Sequence, residues 1–95
     1  MKPMQISIHS LEPNYIRFQV RDDPHTLFNL MRMIALEEKG VVLAGYARDR
    51  TFEESVMFQI RTEGKVDPRE VLVKSARKIS EMAQQFKQAF EDEYH

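Results

Sequence analysis

An α+β fold is predicted, ordered ββαββα, with a four-stranded, mostly antiparallel sheet and two helices. Three observations predict it. Three short segments alternate apolar and polar residues with the period of a half-buried strand, and a fourth is rich in β-branched and aliphatic residues. Two longer segments carry apolar residues at helical spacing, and each is opened by an Asp-Pro pair, Asp23-Pro24 and Asp67-Pro68. No repeat, low-complexity tract or linker interrupts the 95 residues, so one domain spanning 1–95 is expected.

In the first strand Met4, Ile6 and Ile8 alternate with Gln5, Ser7 and His9, which turns the apolar set toward the core. Pro13-Asn14 supplies a turn. Ile16, Phe18 and Val20 then alternate with Arg17, Gln19 and Arg21, giving a second strand that pairs with the first as a hairpin. Asp23 is placed to accept from backbone N–H groups as the N-cap of the first helix, and Pro24 suits its first position. That helix is expected to run to about Lys39, where Gly40 takes a left-handed conformation without a Cβ penalty. Val41 to Ala47 reads as a third strand, with Gly45 marking a bulge or a close approach by another element. Arg48 to Glu54 is a charged connection. Val56, Phe58 and Ile60 alternate with Met57, Gln59 and Arg61 as a fourth strand, ended by Glu63-Gly64-Lys65.

The last helix, from Pro68 to about Glu93, spaces Leu72, Ala76, Ile79, Ala83, Phe86 and Phe90 as a stripe along one side. It would measure about 39 Å at 1.5 Å per residue, whereas strands of about seven residues reach only about 23 Å. Its far end, with Phe86 and Phe90, must overhang the sheet.

The first helix poses a related question. Eight of the ten residues from Leu27 to Leu36 are apolar, and His25, Asn29 and Arg32 form one narrow polar stripe at i, i+4 and i+7. A helix apolar nearly all round is buried nearly all round, yet a chain this small buries only roughly two-thirds of its unfolded surface. Both surpluses point to a subunit interface. Arg32 needs a carboxylate or water for its charge, from its own chain or from a partner.

Composition narrows the function classes. With 14 basic and 15 acidic residues the net charge is −1 and no basic run stands out, so direct nucleic-acid contact is not expected. There is no cysteine, no apolar run near the ~20 residues that span a bilayer, and no secretory-signal pattern in MKPMQISIHS. A soluble cytoplasmic protein without membrane contact is expected. His9, His25 and His95 lack metal-ligand spacing, Glu38-Lys39-Gly40 is not a phosphate loop, and His25 has no nucleophile or acid in a recognisable constellation. The acid pairs Glu37-Glu38 and Glu53-Glu54 and the run Glu91-Asp92-Glu93 read as solvated surface. Met31, Met33, Met57 and Met82 read as core or interface filler. No cofactor, metal or catalytic residue is assigned.

His25-Thr26-Leu27-Phe28-Asn29-Leu30-Met31-Arg32 resembles the His-Thr-Leu-x-Asn-x-x-Arg signature of the small alpha-like assembly subunit of RNA polymerase, called subunit L in archaea, with counterparts in the eukaryotic nuclear polymerases. The likeness extends through Val42-Leu43-Ala44-Gly45-Tyr46, Phe58-Gln59-Ile60-Arg61-Thr62 and Asp67-Pro68-Arg69-Glu70, roughly from Ile6 to Phe90. It implies the alpha-like dimerisation fold and a non-catalytic subunit. That subunit would pair with the larger alpha-like subunit of the polymerase, called D in archaea, as a heterodimer that forms the platform on which the other polymerase subunits assemble. His25, Thr26 and Asn29 carry the family motif. Leu27, Phe28, Met31, Arg32, Ala35, Phe86 and Phe90 are the expected partner contacts, since the family uses the first helix and the long last helix there.

Two positions depart from the family pattern: Pro24 stands where Asp usually precedes the histidine, and Arg50-Thr51 replaces a His-Pro pair after the third strand. The short segment before the first strand favours the archaeal form. A homodimeric, small-molecule-binding regulatory domain of similar layer order is the competing expectation, and it requires a pocket with convergent polar groups.

Overall fold

The computed structural model describes residues 5–21, 25–49 and 55–94. Their order is β1 (Ile6–Glu12), β2 (Tyr15–Arg21), α1 (His25–Leu36), β3 (Val41–Asp49), β4 (Ser55–Thr62) and α2 (Pro68–Tyr94), the expected ββαββα. Met4, the Asp23-Pro24 cap, the Arg50-Thr51 departure and His95 lie outside the described residues. The sheet runs β1-β2-β4-β3 with every neighbouring pair antiparallel. The whole is a slab of 48 × 35 × 18 Å.

Register explains the two faces. Ile16, Phe18 and Val20 of β2 lie opposite Ile60, Phe58 and Val56 of β4, and all six are buried beneath the helices. Phe28 of α1 drops onto this layer, with ring centroids 5.9 Å from Phe18, edge to face, and 4.9 Å from Phe58. Such aromatic contacts add to area burial, and this cluster anchors α1 to the sheet. At one end of the sheet Asn14 ties the β1–β2 turn to the segment after β4. Its amide donates to Thr62 Oγ1 at 3.1 Å and to the Gly64 carbonyl at 3.0 Å.

Several boundaries move. α1 ends at Leu36, three residues early, because Glu37 and Glu38 donate to the carbonyls of Ile34 and Ala35, three residues back, and tighten the last turn. Gly40 has φ +88°, and a Cβ there would collide with Val66. Gly40→Ala is therefore expected to cost about 1–3 kcal/mol, read as a lower urea midpoint at unchanged slope. β3 continues to Asp49 because Arg48 and Asp49 still pair with Val56 and Ser55. Gly45 is neither bulged nor closely approached. It pairs with Gln59, the irregularity falls between Val41 and Leu43, and a Cβ at Gly45 would meet nothing within 4 Å.

α2 begins as its sequence predicts: Asp67 Oδ1 accepts from the Arg69 backbone N–H at 2.9 Å, and Pro68 occupies the first turn. Its enclosed side is Pro68, Val71 and Ser75, a step around the helix from the predicted stripe, with Leu72 and Ile79 half-buried. Beyond Ile79 every described side chain through Glu93 is exposed.

Glu38, in the turn after α1, clasps α2 by accepting from Lys74 Nζ at 3.0 Å and Lys78 Nζ at 2.5 Å. The hydrogen bonds from Lys78 and then Lys74 hold its carboxyl below the ordinary value. A carboxyl lowered in the folded state stabilises the fold above its unfolded pKa and ceases to do so as pH falls through the folded one. The clasp is thus expected to act at neutral pH and to open in acid. Thermal unfolding followed by circular dichroism should show a shallower acid decline in Tm for Glu38→Gln than for the parent; parallel declines would contradict this.

Candidate partner-binding surface

Three rows of side chains cross the helix side of the sheet from β3 to β1. They are Ala44-Ile60-Ile16-Leu11, Tyr46-Phe58-Phe18-Ile8 and Arg48-Val56-Val20-Ile6. α1 packs on β3, α2 packs on α1, and α2 makes only limited contact with β2 and β4. The β3 end of the rows is therefore roofed and the β1 end is open. Ile6 and Ile8, which alternation assigns to the core, are 58% and 60% exposed. Leu11 joins them because the register shift between Ile8 and Ser10 inserts one residue and turns it to the same side.

Between β1 and α2 the open side forms a groove of about 330 Å³, bordered by Ile6, Val20, Leu27, Met31, Leu72 and Ile79. Every side chain lining it is apolar. It offers no polar group to orient a small molecule, and its chemistry is that of a packing surface. Along α2 the same character continues outward through Val73 and Met82 to Phe86 and Phe90, whose rings stack with centroids 6.1 Å apart.

The predicted contact residues separate into groups. Leu27 and Met31 border the groove, and Phe86 and Phe90, 71% and 58% exposed, stand on the projecting half of α2. Ala35 requires correction: at 0% exposure it is sealed inside this chain's own core, on the face of α1 that meets the sheet. Phe28, 2% exposed, belongs to the same core and, with the buried Met31, also forms part of the groove floor. Arg32 is half-buried and donates to Asn29 Oδ1, one turn earlier in the same helix, at 3.3 Å. Thr26 is exposed, and of the His25 side chain nothing is described. The surplus of α1 emerges at Met33 and Leu36. Sequence reasoning missed Ile6, Ile8 and Leu11. The signal that could have found them was that two helices cannot roof four strands when one of them spends half its length beyond the sheet.

Among the described residues no group of His, Asp and Glu side chains is placed to hold a metal ion, and no helix is long and apolar enough to cross a membrane.

Residues 15–89, from β2 through most of α2, match the RNA polymerase Rpb3/Rpb11 dimerisation domain. The chain belongs to that family. It is similar to the DNA-directed RNA polymerase subunit Rpo11 of Sulfolobus acidocaldarius, with 31% identity over 90 residues, 95% of this chain and 96% of the relative. It is likewise 31% identical to subunit Rpo11 of Sulfurisphaera tokodaii over 83 residues, 87% of this chain and 89% of that one. A crystal structure of DNA-directed RNA polymerase subunit L from Thermoplasma acidophilum superposes with a TM-score of 0.84, covering 98% of this chain and 91% of that one, at 18% identity. The ββαββα architecture of this Rpb3/Rpb11-type chain is thus the subunit L fold.

Proposed function

We propose that this chain is a non-catalytic, cytoplasmic assembly subunit of DNA-directed RNA polymerase. Through its helix side it pairs with the larger alpha-like subunit, and the pair forms the platform on which the catalytic subunits assemble. The observation that carries this is an apolar groove and a projecting aromatic arm on one side of one molecule. A sibling of the same fold offers the reciprocal set, so each arm lies along the other's groove about a pseudo-twofold axis. An obligate interface of this kind is apolar and often exceeds about 2,000 Å².

The family match supports association as the task of the domain, and the polymerase relatives support the setting. Light scattering tests the reading. The chain alone is expected to self-associate through its open side, and co-expression with the larger alpha-like subunit should convert it to a one-to-one heterodimer. A monodisperse monomer at high concentration that ignores this larger sibling, or a homodimer that responds to a small ligand, would overturn it.

A further inference from the structure

The opposite face of the sheet carries no helix. There β2 presents Tyr15, Arg17, Gln19 and Arg21 opposite Arg61, Gln59, Met57 and Ser55 of β4. These two central strands carry three arginines and no carboxylate, and the acid that the neighbouring β1 sets on this face is the exposed Glu12, opposite Tyr15 at the Arg61 end. All three arginines are exposed, and none takes part in an ion pair among the described residues. Several of the other polar groups are tied to each other: Tyr15 Oη donates to Gln59 Oε1 at 2.8 Å and Gln19 Nε2 to Ser55 Oγ at 2.9 Å.

Register lines the guanidinium groups along one seam. Arg61 lies opposite Tyr15, two residues from Arg17, and Arg21 lies four residues further on, which is about 7 Å and then about 13 Å at strand rise. Beside Arg17 the sheet dips into a depression of about 630 Å³ lined also by Gly45 and Ala47. Like charges set diagonally across neighbouring strands repel, so an anionic partner gains both the new pairings and the relief of that repulsion.

We infer that this outer face is a second docking surface, and that its occupant is an acidic, extended segment of another polypeptide with carboxylates two and then four residues apart. An extended chain turns alternate residues to one side, so that spacing meets Arg61, Arg17 and Arg21 in turn. Arginine suits the role because its planar fork takes a carboxylate bidentately. Nucleic acid fits less well. Single strands bind by stacking on open aromatic rings, and the aromatic ring that β2 and β4 turn to this face, Tyr15, is already covered by the Arg61 guanidinium at 4.5 Å. The inference is independent of helix-side pairing, which uses the other face.

Fluorescence anisotropy on the full-length chain tests it. The probes are a labelled Ser/Thr peptide bearing Glu at the stated spacing, the same peptide with Gln, and a single-stranded oligonucleotide of comparable charge. The Glu peptide should bind about tenfold more tightly than the Gln peptide, and Arg17→Glu with Arg61→Glu should remove that preference. Arg77→Glu on α2 should leave it intact, with circular dichroism confirming that each variant is folded. Equal binding of the two peptides, or a preference that survives the double charge reversal, would overturn the inference. So would an oligonucleotide that outcompetes the Glu peptide and loses affinity in the same variants.

Discussion

Phe28→Ala is expected to destabilise the fold by about 3–5 kcal/mol, the range for removing a large aromatic from a packed core. The total stability of such domains is about 5–15 kcal/mol, so the variant should have lost much of its margin. The reason is positional. Phe28 is 2% exposed and meets the rings of Phe18, Phe58 and Tyr46, so its loss opens a void between α1 and the sheet at the point that binds them. Urea unfolding should show a much lower midpoint. A midpoint close to that of the parent would mean that α1 is held elsewhere.

Phe86→Ala and Phe90→Ala should do the reverse. Each is expected to weaken pairing with the larger alpha-like subunit by about 2–4 kcal/mol, as truncation of an aromatic anchor does. The unfolding midpoint of the isolated chain should hardly move, because both rings are largely exposed on the projecting half of α2. The chemistry of an assembled polymerase should be unchanged. Titrating the larger subunit with each variant measures the effect, and wild-type affinity in both would remove the arm from the interface. On these expectations the three phenylalanines divide, one sustaining the fold and two sustaining association.

That division shows what could be read from the residues alone. Periodicity located three strands and both helices because alternation and helical spacing are local consequences of burial on one face, and β-branched content located β3. The overhang of α2 was legible from length alone. The direction of each helix face was not. Apolar residues on α1 outnumber those any single surface can cover, and only packing decides that Ala35 is sealed against the sheet, that Phe28 and Met31 sit in the core at the groove floor, and that Leu27 stays half-buried at its border. β1 misleads for a similar reason. Its alternation registers which side of the sheet a residue occupies, and the pattern carries no information on whether a helix roofs that side. The inserted residue near His9, which brings Leu11 round, depends on pairing with β2 and has no marker within β1 itself. The arginine seam was present in the alternating positions of β2 and β4, but its alignment emerges only once the two strands are set in register.

The distal half of α2 has one further consequence. From Ser80 to Glu93 every side chain is exposed, and an isolated helical stretch of about 12–15 residues is barely stable in water. An orphaned copy therefore ends in a tail that frays readily, whereas a copy embraced by another subunit keeps the same tail rigid. Limited proteolysis is therefore expected to trim this stretch faster in the isolated chain than in the proposed pair.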